Sequence, residues 1–299
     1  MALRDLVSLF ALAAIWGASF LFIRIAAPAL GPFPLVAGRV AIAAIVLYGG
    51  MRAFGLRPAL RANARKLVVL GATNAAVPFA LIASAELHLT ASLTAMLHAS
   101  APLWGVLFAR LWLAEPLTSR RLAGVLIGVA GVGVLVGWSP MTLSLATALS
   151  TLALLAATAC YAAGNIYVTK NLSHVPPLTL SLGQQVGAFA WLAVPGAIML
   201  PRAHPTPAAI GAMLALAVVS TAIAYPLFFR LLGRIGPTKV TTLTYIIPLF
   251  GVLWGSVFLD EPVTAGMYAG LALILGSVVL VNDVSLGTLF RRSRFVAPA

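Results

Sequence analysis

Charge is scarce in this sequence. Asp, Glu, Lys and Arg make up 8% of 299 residues, and only six residues are acidic; a soluble domain carries about 25% charged residues. So few charges cannot cover a water-facing surface. With 62% hydrophobic residues and a mean hydropathy of +1.05, most of the chain must be solvated by lipid. Cys160 is the one cysteine, which excludes an internal disulfide and a cysteine-built metal cluster. The acids Asp5, Glu86, Glu115, Asp260, Glu261 and Asp283 all fall at the ends of apolar runs or between them. No pair of aspartates inside a run is available for intramembrane proteolysis, and HExxH, GxSxG and P-loop patterns are absent. A Ser100–His98 dyad fails on geometry, because residues two apart on a helix point in different directions. A passive channel finds no ring of like charges and no filter-like loop.

What is present is apolar and segmented. Ten runs occupy about 6–26, 34–51, 67–85, 91–112, 122–138, 147–169, 178–200, 209–232, 239–259 and 264–281. One membrane crossing takes about 20 such residues. Amides in hydrocarbon have no water to bond, so each run must pair its own backbone as a helix. The alternation of a membrane β-barrel is missing. The expected fold is an all-α integral membrane protein of ten transmembrane helices. The first run follows Arg4 and Asp5, is too long for a signal-peptide core, and reads as a retained span.

The net charge is +13, but the basic residues sit in connections between apolar runs, so nucleic acid is not an expected partner. Alternate connections differ sharply. One side holds Arg4, Arg52, Arg57, Arg61, Arg65, Lys66, Arg120, Arg121, Lys170, Arg234, Arg291, Arg292 and Arg294. Arg110, Arg230 and Lys239 lie at span ends on that side. The other side holds Arg202, with Arg24 and Arg39 just inside the membrane. The rich side faces the cytoplasm, which puts both termini there. Lysine occurs only at 66, 170 and 239, and Ala and Gly are abundant, as in a GC-rich bacterial genome. The expected location is a bacterial cytoplasmic (inner) membrane. After Asn282 a basic tail carries Leu286, Leu289 and Phe290; it either lies on anionic lipid or is simply solvated.

The chain repeats itself. PLWGVLFARLWLAEP from Pro102 to Pro116 returns as PLFGVLWGSVFLDEP from Pro248 to Pro262, 146 residues later. Trp16-Gly17-Ala18-Ser19 corresponds to Tyr161-Ala162-Ala163-Gly164, Pro32 to Pro177, Gly38-Arg39 to Gly183-Gln184, Pro78 to Pro226 and Gly124 to Gly270. The units are 1–140 and 141–299, with five runs each, the second unit carrying the basic tail. A unit of five spans ends on the side opposite its start, so its copy is inserted upside down. Inverted repeats with a site near the midplane between them are a transporter architecture; duplication that merely enlarges a bundle is the plainer alternative.

On these residues the chain resembles the drug/metabolite transporter superfamily in its ten-span EamA-type form. The resemblance rests on Trp16-Gly17-Ala18-Ser19-Phe20, on Pro34 and Arg39 near the start of the second run, and on both proline-to-Glu-Pro stretches. The glycine-rich fifth and tenth runs fit as well. It covers the whole chain and, by overall similarity, looks most like the YddG-type amino-acid exporters. It implies a basket of helices around a central cavity, the fifth and tenth helices peripheral, and no cofactor. The implied function is export of amino acids, aromatic or otherwise apolar, and related small metabolites by alternating access. Another small metabolite or drug is the alternative cargo, and an intramembrane enzyme the remote one. The membrane-embedded Glu of small multidrug antiporters and the mid-span lysines of sugar-phosphate antiporters are missing, which speaks against strong proton coupling and polyanionic substrates.

Polar and aromatic side chains deep in apolar runs are costly unless they face a cavity or a partner helix. The first run aligns Trp16, Ser19, Phe20 and Ile23; the sixth carries Tyr161 and Asn165, four apart. The expected substrate-binding set is Trp16, Asn74, Phe79, His98, Tyr161, Asn165, Gln184, Gln185, Tyr225 and Tyr245. Thr94, Ser100, Ser220, Thr221, Thr241 and Thr244 sit nearby in their runs. Any one of these residues is as well explained by packing or an interhelical hydrogen bond. As a set they offer ring faces and hydrogen bonds without fixed charge, which suits a neutral or zwitterionic solute with apolar parts. His98 is expected as a neutral histidine bonded to a neighbour, with proton exchange the alternative. Arg24 and Arg39 are expected to snorkel, with attraction of a substrate carboxylate the sharper reading. Glu115 and Glu261 are expected at helix ends, meeting the first amides of the next span. Pro102 and Pro248 each lack an N–H and crowd the carbonyl four residues back, so both should kink their helices as hinges. Gly124 with Gly128 and Gly266 with Gly270 permit close helix approach, inside the bundle or across a weak dimer; the expected state is a monomer or weak dimer.

Overall fold

The structure, a computed structural model, describes residues 3–113, 118–235, 240 and 243–281. Glu115, Pro116, Lys239, Thr241, Asp283 and the basic tail lie outside the described residues. Among those described, all regular structure is helical. Eight helices are long and apolar enough to cross a membrane: α1 (Leu3–Leu30), α2 (Pro32–Ala53), α3 (Arg61–Ala85), α4 (Ala91–Trp112), α5 (Ser119–Gly137), α6 (Leu145–Asn171), α7 (Pro177–Arg202) and α8 (Pro207–Leu232). Two shorter apolar helices follow, α9 (Leu243–Leu259) and α10 (Ala265–Val281). Each expected apolar run falls on one of these.

The helix starts have local causes. Thr90, Thr118, Ser144 and Thr206 each accept, through the side-chain oxygen, the amide three residues on. Pro32, Pro177 and Pro207 occupy first-turn positions where no amide partner is needed.

Proline decides where the helices depart from regularity. α4 is helical over Ala91–His98 and again over Ala101–Leu113, with a turn at 99–100 between them. Pro102 sits just past that break. Pro248 lies within the continuous helix Leu243–Leu259, so of the two expected kinks only the one at Pro102 interrupts its helix. Two further irregularities are matched. α3 widens into a π-helical turn at Ala72–Ala76 before Pro78, and α8 does so at Val218–Ile223 before Pro226. A π turn shifts bonding to the carbonyl five residues back, which relieves the clash that proline imposes one turn upstream.

The principal packing joins helices distant in sequence. α1 packs on α8 and α9, α2 on α7 and α8, α3 on α6 and α7, α4 on α6 and α9, and α5 on α10. Each of these pairs takes one member from the first five helices and one from the last five. Helix ends meet in two groups. In one, Asp5 pairs with Arg234 at 2.7 Å, Lys66 reaches the Asn171 carbonyl, and Lys170 reaches the Trp112 carbonyl. In the other, the His204 amide bonds the Ala29 carbonyl, Thr264 the Trp138 carbonyl, and Arg24 the Glu86 carbonyl. Glu261 belongs to the second group. Its two carboxylate oxygens accept the Ala91 and Ser92 amides at 2.8 Å each. It does meet helix-start amides, but those of α4, about 170 residues back, rather than of α10.

Gly124, Gly128 and Gly131 of α5 and Gly270 of α10 lie in the seam between these two helices. Gly124 and Gly128 face Ser277, and Gly270 lies against the backbone of Leu135. A Cβ on Gly270 would stand 2.6 Å from the Leu135 nitrogen and Cα, whereas one on Gly276 meets nothing within 4 Å. Gly270→Ala should therefore push α5 from α10 and cost about 1–3 kcal/mol, seen as a lower Tm in detergent. Gly276→Ala on the same helix, where a Cβ meets nothing, should leave Tm the same or slightly higher.

Candidate functional site

Arg39 does not snorkel. It is the eighth residue of α2 and is 4% exposed. Its Nε donates to Thr221 Oγ1 at 2.9 Å, and its guanidinium carbon stands 3.8 Å from the centre of the Phe79 ring. Thr221 lies in the π turn of α8 and donates its own proton to the Leu216 carbonyl five residues back at 2.8 Å, which turns an oxygen lone pair toward Arg39. The depth of Arg39 explains the failure of the snorkelling expectation. A side chain already walled by α3 and α8 has closer partners than the membrane surface.

The other π turn makes the corresponding contact. Asn74, in α3, donates from Nδ2 to Gln184 Oε1 of α7 at 3.0 Å. Gln184 is the residue that aligns with Arg39 in the repeat. Asn74 also lies against Gly164 of α6, where a Cβ would meet its Oδ1 at 2.9 Å. Both polar atoms of the Gln185 side chain are sealed from solvent and have no partner, and the Gln184 amide, sealed as well, lies beside the Tyr225 side chain.

Aromatic rings continue the layer. From Arg39 the row runs through Phe79, Tyr161, His98 and Phe20, with ring centres 6.4, 5.6 and 5.7 Å apart. Trp16 packs on Tyr225 and Phe228 at 5.7 and 5.2 Å and donates Nε1 to the Ser220 carbonyl in the α8 π turn. Trp16, Asn74, Phe79, His98, Tyr161, Gln184 and Tyr225 thus come together. His98 is half-buried between two rings, with no hydrogen-bond partner among the described residues, contrary to the bonded histidine expected.

Two expected members stand elsewhere. Asn165 is exposed. Four residues on a helix advance about 40° beyond a full turn, and in α6 it is Gly164 that faces Asn74. Tyr245 packs with Leu103, Val278 and Val281 in a cluster shared by α4, α9 and α10. What sequence reasoning missed was the π turns and the depth of Arg39. The available signals were a lone arginine aligned with a buried glutamine, and polar residues four to six positions before a proline in both copies.

Glu86, one residue beyond α3, is fully buried, and neither carboxyl oxygen has a partner. Burial pushes its pKa well above the usual carboxylate range, and the nearby Glu261 carboxylate adds to this; Arg24 and Arg39 oppose it. The neutral form is thus the one that the fold favours. Its stabilising contribution is complete below the ordinary value of 4.5 and is lost as pH rises toward the folded value. Glu86→Gln keeps the neutral shape, so its Tm should gain on the parent's progressively from pH 5 to pH 8. A gap independent of pH would overturn this.

Comparison with known proteins identifies the chain's relatives. Residues 5–137 and 148–283 match the EamA-like transporter family. The protein named "Uncharacterized inner membrane transporter YedA" of Escherichia coli (strain K12) is 26% identical over 290 residues, 92% of this chain and 89% of that protein. A "Probable amino-acid metabolite efflux pump" of the same strain is 26% identical over 286 residues, 92% of this chain and 93% of that one. A solved crystal structure superposes with a TM-score of 0.66 at 20% identity, covering 93% of this chain and 96% of that chain, so the fold is shared. With a family match along both stretches of an apolar, all-helical fold, this multi-pass membrane protein belongs to the EamA-like transporter family.

Proposed function

We propose that this protein is a bacterial inner-membrane secondary transporter, not an enzyme, that exports amino acids and related small metabolites by alternating access. It crosses the membrane ten times, as two inverted five-helix repeats over 1–140 and 141–299, with both termini in the cytoplasm. The observation that carries the reading is the interior layer built by Trp16, Arg39, Asn74, Phe79, His98, Tyr161, Gln184 and Tyr225. Seven helices contribute to it, and it gathers ring faces, amides and a cation in one place inside a bundle whose buried side chains are mostly aliphatic. The inverted arrangement is supported by the odd number of helices per repeat and by the aligned contacts Arg39–Thr221 and Gln184–Asn74. The cytoplasmic side is assigned from Lys and Arg, which crowd the group of helix ends holding Asp5–Arg234, Lys66 and Lys170. The relatives named as an inner membrane transporter and an amino-acid metabolite efflux pump point the same way.

In this reading the layer is the substrate site. Its rings cover apolar parts of the solute, and its amides and hydroxyls bind polar ones. Gln185 belongs to it through its unpartnered buried amide. Pro102 and Pro248 serve as hinges about which α4 and α9 bend in alternation. Purified protein in proteoliposomes should accumulate amino acids from a metabolite panel; uptake of other small metabolites with no amino acid among them would transfer the reading to the wider family range. Pro102→Ala and Pro248→Ala should lower turnover while leaving substrate binding within about twofold of the parent. Unchanged turnover in both would remove the hinge role.

A further inference from the structure

A cation inside a lipid-solvated bundle needs a counter-charge, because desolvation is repaid only by close, well-bonded partners. Arg39 lacks one. Its Nε is bonded to Thr221 and its ring partner is Phe79, and no acceptor among the described residues faces Nη1 or Nη2. Those two nitrogens are not among the unpartnered polar atoms sealed from solvent. Each therefore keeps some contact with solvent, although the residue as a whole is 4% exposed. Glu86 is the carboxyl that acts on Arg39 electrostatically, but it lies beyond ion-pair distance, has no donor on either oxygen, and is favoured in its neutral form. Arginine stays protonated at any physiological pH. Its planar fork presents two parallel N–H groups that match one carboxylate.

We infer that Arg39 anchors the carboxylate group of the transported solute through Nη1 and Nη2, with the Phe79 and Tyr161 rings beside the solute's apolar part. The aligned residue Gln184 makes the contrast clear. Its acceptor oxygen is taken by Asn74 inside the protein, whereas Arg39 spends only Nε on Thr221 and keeps its fork open. The solute class is then narrower than small neutral metabolites: a monocarboxylate, zwitterionic or anionic, with an apolar or aromatic side group. Thr221 is a positioning residue, since its hydroxyl turns the guanidinium plane without touching the solute. The inference rests on the interior layer being the transport site, and it deepens that reading by naming what the site selects.

The test is equilibrium binding of four probes to the full chain in detergent: L-phenylalanine, 3-phenylpropionate, L-phenylalaninamide and phenethylamine. The two acids should bind about ten- to a hundredfold more tightly than the amide and the amine. Arg39→Gln should erase that preference, Arg39→Lys should restore part of it, and Thr221→Val should weaken the acids without favouring the amide. Tm measured on each variant reports folding; should Arg39→Gln fail to fold, Arg39→Lys and Thr221→Val decide. Equal binding of acids and amide, no binding of any probe, or a full acid preference in the folded Arg39→Gln protein would overturn the inference. Proteoliposome flux separates the two readings. Acid-selective binding lost with Arg39 but without flux would keep the anchor and remove the transporter. Flux of acid and amide alike, unaffected by Arg39→Gln, would keep the transporter and remove the anchor.

Discussion

Polar groups in the interior of this chain are cut off from most of the water that a soluble protein's surface offers, and the packing follows from that constraint. In a soluble protein Arg39 could reach the surface; here it is held where it lies by a hydroxyl from α8 and a ring from α3. Asn74 and Gln184 meet for the same reason. The Trp16 and Trp254 indoles donate to the Ser220 and Ala14 carbonyls, since a buried N–H left without an acceptor is costly. Because these hydrogen bonds cross between the first five helices and the last five, each set completes the other's polar interior. Glu261 shows the same dependence at a helix end, supplying from beyond α9 the acceptors that the first amides of α4 lack.

Proline shapes the site indirectly. Pro78 and Pro226 deny their helices one hydrogen bond each, and both helices respond by widening over the preceding turn. The widened turns are also where Asn74, Ser220 and Thr221 engage other helices. A covalent constraint that disrupts backbone pairing has become the means of presenting polar groups inside hydrocarbon. The clustering of these irregular turns on the polar layer is what separates the layer from ordinary interhelical bonding.

The expectation of close helix approach at Gly124, Gly128, Gly266 and Gly270 was readable because glycine removes a side chain wherever it sits. Which surface fills the space was not readable. The partner turned out to be α10 for α5, within one chain. Asn165 and Tyr245 lie away from the polar layer for a related reason. Helical spacing says which residues share a stripe, yet an apolar helix surrounded by lipid and protein has no composition gradient to tell which stripe faces inward. α1 is apolar all the way around, so burial there depends on its neighbours.

The sequence by itself determined the solvent, the helices, their approximate ends and the repeat. Those depend on local quantities: hydropathy over about 20 residues, proline and capping positions, and self-similarity. It also exposed most members of the polar layer, because a polar residue in hydrocarbon is conspicuous wherever it points. Only the tertiary structure decided that Arg39 lies inside rather than at the interface, that Glu86 is a buried acid without donors, and that Gln184 gives its oxygen to Asn74 where Arg39 leaves its fork unbonded. Each of these is a statement about the distance between residues far apart in the chain. Such distances are set by how the helices pack together, and no single stretch of sequence records them.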